Sequence, residues 1–194
     1  MKNIPSVDLN DFLSNDIDKK KAFVNKLGKA YNEIGFVALK GHFLDDNDIK
    51  EVYSSIKEFF DLPEDIKAKY ELDGFDGQRG YTSFGKEHAK GKKHGDLKEF
   101  WHFGQYLDDD EYTKFNYPKN QIVTELPRFN NIGKKVFQSL EKTAIYVLRA
   151  ISLYLDLEED HFDKYVKKGN SILRPIHYPP IPVSYTHLRA HETQ

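Results

Sequence analysis

Asn170-Ser171-Ile172-Leu173-Arg174-Pro175-Ile176-His177-Tyr178-Pro179-Pro180-Ile181-Pro182 is the stretch on which the reading of this chain turns. Gly169-Asn170 signals a turn, and Ser171 to Tyr178 then reads as a β-strand closed by Pro179-Pro180. Neighbours on a strand alternate faces, so His177 is expected to point away from Tyr178. Only Val183 to Gln194 follow, and those residues do not continue the pattern.

Upstream, Leu126 to about Leu155 is expected as the longest helix. Phe129, Ile132, Val136, Phe137, Leu140, Ala144, Val147, Leu148 and Ile151 give it a broad apolar face at helical spacing. A short helix is expected from Glu158 to Lys167. Nearer the N-terminus, Ile4 to Leu9 alternates like an edge strand, and Asp16 or Asp18 caps a helix running to about Ile34. Phe36 to Leu39 reads as a strand closed by Gly41. Asp45 or Asp46 starts a second helix with an apolar stripe of Ile49, Val52, Tyr53, Ile56, Phe59 and Phe60. Leu62-Pro63 breaks it, and Glu64 to Tyr70 reads as a further short helix. Leu72 to Gly95 is a glycine-rich loop with a short strand at Tyr81 to Phe84. Lys98 to Gly104 returns to strand character, and Asp108 to Pro118 is expected as polar loop. Single strands separated by long helices predict an α+β assembly whose sheet is completed elsewhere.

Composition narrows the function classes. Hydrophobic residues make up 39% and aromatic residues 14%, with 14 Phe and 12 Tyr, which fills a core and argues against disorder. Lys and Arg total 29 against 31 acids, a net charge of -2, so there is no electrostatic footprint for nucleic acid. The absence of cysteine removes disulfides and thiolate metal sites. No apolar run follows Met1-Lys2, and no stretch approaches membrane-spanning length, so the expectation is a cytoplasmic chain with no membrane partner. Gly74 to Gly80 lacks G-x-G-x-x-G spacing after a strand, and no P-loop lysine follows.

Six stretches in order resemble the isopenicillin N synthase-like family of Fe(II)/2-oxoglutarate-dependent oxygenases. They are Ile4 to Leu9; Gly35-Phe36-Val37-Ala38-Leu39-Lys40-Gly41-His42; Phe59-Phe60-Asp61-Leu62-Pro63 with Lys67 and Tyr70; Arg79-Gly80-Tyr81-Thr82-Ser83-Phe84-Gly85; Asp96 to Gly104; and Leu173-Arg174-Pro175-Ile176-His177-Tyr178-Pro179-Pro180. The resemblance spans residues 3 to 182. It implies a non-haem dioxygenase N-terminal domain over 1–120, a long and a short helix over 121–169, and the first strand of a jelly-roll (double-stranded β-helix) core over 170–182. The rest of that core is expected to be missing. Residues 183–194 read as a foreign, unstructured tail.

The resemblance also implies the chemistry. The complete protein would hold Fe(II) on two His and one carboxylate, leaving positions for 2-oxoglutarate and O2, and would oxidise a small-molecule substrate. Its His-x-Asp pair and later elements are expected to lie past Pro182. No catalytic residue and no metal ligand is therefore assigned, no cofactor is expected on this chain, and the chain by itself is expected to be inactive. In the tail, Leu188-Arg189-Ala190-His191-Glu192-Thr193 superficially resembles the metal strand, but Thr193 stands where the carboxylate belongs. His187 and His191 lie one helical turn apart without the Glu a zincin needs.

Three residues carry the site expectations. Tyr178 is the cofactor-binding candidate: relatives that use 2-oxoglutarate place a phenol donor there, and the competing role is a core aromatic. Arg79 and Tyr81 are the substrate-binding candidates, on a loop that borders the substrate pocket in the family. Arg79 would grip a carboxylate in two-pronged fashion, against a solvated loop arginine and a packing tyrosine as the plainer roles. His88, His94 and His102 show no ligand spacing, and Trp101 with Phe100 and Phe103 is expected in the core or on a sheet face. Two further readings stand beside the dioxygenase: a non-catalytic binding module, and an oxidase of the same fold that does not use 2-oxoglutarate.

Overall fold

The structure, a computed structural model, describes residues 3–75, 77–87 and 95–180. The expectations for His88, His94, His187, His191, Thr193 and the 183–194 tail fall outside these residues. In chain order the elements are β1 (Ser6–Asp8), α1 (Leu9–Leu13), α2 (Ile17–Glu33), β2 (Ala38–Lys40), α3 (Asp46–Phe60) and α4 (Glu64–Lys67), with a 3-10 turn at Ala68–Tyr70. There follow β3 (Gly80–Thr82), β4 (Glu99–Gly104), α5 (Asp109–Phe115), α6 (Pro127–Tyr154), α7 (Asp163–Val166), β5 (Ile172–Leu173) and β6 (Ile176–His177). The class is α+β. The chain divides into two units, 1–53 with 130–171, and 54–129 with 172–194, so the division falls inside α3 and α6.

In the first unit β1 and β2 pair in parallel, with Val7 opposite Leu39. Asp16 caps α2, its carboxylate accepting from the N–H groups of Asp18 and Lys19 and so satisfying donors that have no partner within the helix. The apolar stripe of α2 buries Phe23, Val24 and Leu27 with Val7, Leu9, Phe12 and Ala150. Gly28 sits where α2 meets α6: a Cβ there would overlap the Tyr154 ring, so only glycine allows this approach. Asp45 caps α3 through the N–H groups of Asn47 (2.7 Å) and Asp48 (3.2 Å). Tyr53, expected in the buried stripe of α3, is 72% exposed.

The second unit is built on β4, all six residues of which are buried. β3 pairs with it antiparallel, Tyr81 opposite Trp101. β5 and β6 also pair with it antiparallel, Phe103 opposite Leu173 and Glu99 opposite His177, in one common register. The strand expected over 171–178 is thus two short pieces. Pro175 separates them because it has no N–H to give the ladder; its carbonyl still accepts from Trp101 N–H at 3.0 Å. Among the described residues, β4 and 172–177 pair with each other, and β3 completes the other side of β4. On one face of β4, Trp101 packs on Phe59 (4.8 Å between centroids) and Phe129 (5.1 Å), and Phe103 packs on Phe129 (5.0 Å).

The region expected as polar loop over 108–118 contains α5. Its first turn is acidic (Asp109, Asp110, Glu111), which suits the positive end of a helix, and Asn116 ends it in the left-handed conformation at φ 53°. Tyr112 ties it down by donating to the Gln105 carbonyl at 2.8 Å. The short helix expected over 158–167 is regular only at Asp163–Val166, where Arg149 of α6 makes a two-pronged pair with Asp163 at 2.6 and 3.2 Å.

Candidate functional site

The second unit holds a pocket of about 300 Å³ beside the β3–β4 pair, lined among others by Leu72, Gly77, Tyr81, Thr82, Lys86 and Phe100. Gly77 adopts φ 70°, and a Cβ on it would crowd Thr82 Oγ1. Thr82 is 7% exposed, and its hydroxyl oxygen is buried beside Gly77 with no hydrogen-bond partner among the described residues. Lys86 at the rim pairs with Glu71 at 2.6 Å.

Strand alternation sorts the surrounding side chains into two sets. Thr82, Phe100, His102, Arg174, Ile176 and Tyr178 share one face by register; Tyr81, Glu99, Trp101, Leu173 and His177 share the other. Tyr178 thus projects from the face that carries the pocket walls Thr82 and Phe100, and it is 66% exposed. On that face Arg174 lies over the Phe100 ring at 4.4 Å and donates from Nε to His102 Nε2. His102 Nδ1–H in turn donates to the Gly77 carbonyl. Burial, with the charges of Arg174 and Arg79 adding to it, pushes the His102 pKa down to about 4. A neutral imidazole therefore ties the glycine-rich loop to the strand at Arg174.

The opposite face carries a buried polar network. Glu99, 4% exposed, accepts from Lys67 Nζ at 2.6 Å and from the Tyr81 hydroxyl on Oε2, and pairs with His177 Nδ1 at 2.7 Å on Oε1. Glu64 reaches the same Lys67 at 3.1 Å and the Tyr81 hydroxyl at 3.2 Å. Phe60 stacks on the His177 ring at 5.1 Å. Burial raises the Glu99 pKa, but the hydrogen bonds from Lys67, Tyr81 and His177 outweigh it and leave the carboxyl below its usual range. Burial, reinforced by Glu99 and Glu64, raises the Tyr81 phenol far above its ordinary value, so Tyr81 stays a neutral donor.

The three residues singled out in the sequence do not meet in one place. Tyr178 and the pocket share a face. Tyr81 lines the pocket, but its hydroxyl is turned to Glu99 and Glu64. Arg79 has no exposed surface; its guanidinium packs against Gly104, where any Cβ would overlap it, and Nη1 donates to the Gln78 carbonyl at 2.7 Å. Sequence reasoning passed over Glu99, Lys67 and Thr82. The signal for Glu99 was present: an acid alternating with Trp101 and Phe103 on the apolar face of a strand needs a buried partner.

The family model described as "non-haem dioxygenase in morphine synthesis N-terminal" matches residues 4–125, and the chain belongs to that family of oxidoreductases. A 2-oxoglutarate-dependent dioxygenase from Aspergillus rugulosus is 29% identical over 93% of this chain and 57% of its own length. A 1-aminocyclopropane-1-carboxylate oxidase from Dictyostelium mucoroides is 28% identical over 92% of this chain and 50% of its own. Among solved structures, a protein assigned to the 2OG-Fe(II) oxygenase family from Caulobacter crescentus superposes with a TM-score of 0.79 at 37% identity, over 96% of this chain and 59% of that one. The chain spans about half the length of the curated relatives it matches.

Iron is the metal this family implies. Among the described residues no group of three or more His, Cys, Asp or Glu is placed to hold a metal ion. His102 has both ring nitrogens engaged, and His177 commits Nδ1 to Glu99. The described residues do not fit a facial triad. No helix among them is long and apolar enough to cross a membrane.

Proposed function

We propose that this chain is the substrate-side, N-terminal part of a non-haem iron(II), 2-oxoglutarate-dependent dioxygenase acting on a small molecule in the cytoplasm. The observation that carries this reading is the sheet register, which sets Tyr178 on the same face as the pocket walls Thr82 and Phe100. Family membership supplies the reaction class. Tyr178 supplies a directed phenol donor for a carboxylate of the co-substrate. Thr82 and Phe100 supply walls of the pocket, Phe100 an apolar one. Tyr81 borders the pocket from β3 while its side chain packs on the opposite face, and Arg79 braces the loop from inside.

The ligands for iron are not among the described residues, so the 194-residue chain is proposed to be inactive alone. The test is turnover: Fe(II), ascorbate and 2-oxoglutarate are added and succinate is measured. Succinate no higher than a metal-free blank is expected; clear production above it refutes the inactivity. A second reading, a same-fold oxidase that takes no 2-oxoglutarate, draws support from the relative named as an oxidase.

A further inference from the structure

The segment that carries Tyr178 is poorly equipped to hold its own register. Between Pro175 and Pro179 only Ile176, His177 and Tyr178 have backbone N–H groups, and β6 itself is two residues long. A slip of one residue would exchange the faces, turning Tyr178 inward and His177 out. Something other than the ladder must discriminate between these two arrangements.

We propose that Glu99 is the positioning residue that does so, fixing His177 in its Nδ1–H tautomer and thereby holding β6 in the register that presents Tyr178 on the pocket face. Glu99 and His177 stand directly opposite each other across the ladder, so their side chains meet only in this register. Glu99 is in turn held by Lys67 from α4 and Tyr81 from β3. Its carboxylate accepts and does not donate, so the imidazole nitrogen facing it at 2.7 Å must carry the proton. Phe60 fixes the plane of the ring from α3. A slipped Tyr178 would have to bring a larger phenol into space shaped for an imidazole, while His177 would lose its acceptor. On the far side of Pro175, Arg174 and His102 form the companion cross-strand pair on the other face. The proline is thus flanked by two imidazole contacts, one per face.

The consequence for co-substrate binding rests on the reading of Tyr178 given above; the lock itself does not, and its test uses neither iron nor 2-oxoglutarate. Side-chain nitrogen NMR of the 194-residue chain should show His177 carrying a proton on Nδ1. Glu99→Gln should abolish that preference. It should also raise amide exchange at 176–178 by roughly tenfold while amides of β3 keep their rates. His177→Phe keeps a ring for Phe60 and removes the donor, and should reproduce the faster exchange without leaving Glu99 bare, since Lys67 and Tyr81 remain. His177→Asn, which restores a donor, should recover most of the protection. If Glu99→Gln loosens β3 as well, His177→Phe decides. An Nδ1 without a proton in the wild type, or exchange at 176–178 within about twofold of wild type in His177→Phe, overturns the lock. Neither result bears on the succinate measurement, so the two readings fail separately.

Discussion

At the scale of single residues, the second unit is organised by side chains whose protonation is settled by their surroundings. His102 is the clearest. It donates to the Gly77 carbonyl, accepts from Arg174, and is 3% exposed. Its folded pKa of about 4 lies below the ordinary 6.5, because burial disfavours the charged ring more than Gly77 and Glu87 favour it. Between those values the unfolded chain binds the proton and the folded chain does not. Stability is therefore fully present above the unfolded pKa and is lost as pH falls toward 4. Comparing urea midpoints at neutral and mildly acid pH, His102→Gln should flatten this loss by on the order of 2 kcal/mol relative to wild type. An identical pH slope in both proteins would show that another group carries it. From the sequence His102 had only the property of lacking ligand spacing. Its partners, Gly77 and Arg174, are 25 and 72 residues away, a separation that local pattern cannot bridge.

Elements show what local pattern can and cannot reach. α2, α3 and α6 were legible because an apolar stripe at helical spacing, and for α2 and α3 a cap as well, is written locally. Asp16 lies one residue before α2 and bonds two of its first N–H groups. Asp16→Ala should cost about 1 kcal/mol in a denaturant melt, and Asp16→Ser should recover most of it. α5 was missed because its helix-forming features are capping ones, acids at the start and a left-handed Asn116 at the end, laid over a sequence too polar to show a stripe. Tyr53 was misjudged for the opposite reason. It satisfies the helical period of α3 but stands at the margin of the stripe, where burial depends on what packs alongside. The strand over 172–177 was seen, and its break was not. Pro175 announces a missing donor, but whether that ends a strand or only interrupts it depends on β4 continuing past it in the same register.

At the scale of the whole molecule, the family was readable from motif order, and the site only in part. Tyr178 came to notice only through the resemblance of 173–180 to a family motif, and its role stays a proposal. Thr82 and the Glu99 network needed the sheet, since alternation decides facing only once the partners are known. Arg79 illustrates the gap: a loop arginine reads as solvated or substrate-facing, yet Gly104 leaves room for it inside the fold. Charge is a property the sequence does settle. The 29 basic side chains are balanced by 31 acidic ones, and among the described residues Lys20, Lys67, Lys98 and Lys135 are paired to carboxylates. The chain should pass through immobilised heparin at about 0.15 M salt, where a protein that contacts several phosphates is held. Retention there would overturn the expectation, drawn from the charge balance, that nucleic acid is not a partner.

Pro175, Pro179 and Pro180 have one more effect. Among the described residues no strand pairs with the outer edge of β5 and β6. An open edge of that kind invites a neighbouring molecule to add its own strand, the first step of fibrous misassembly. Here the would-be template is two residues long on either side of Pro175 and is closed by Pro179-Pro180, so a stranger's backbone would find only a short run to pair with. The same punctuation that leaves β6 dependent on side chains for its alignment makes it hard to copy.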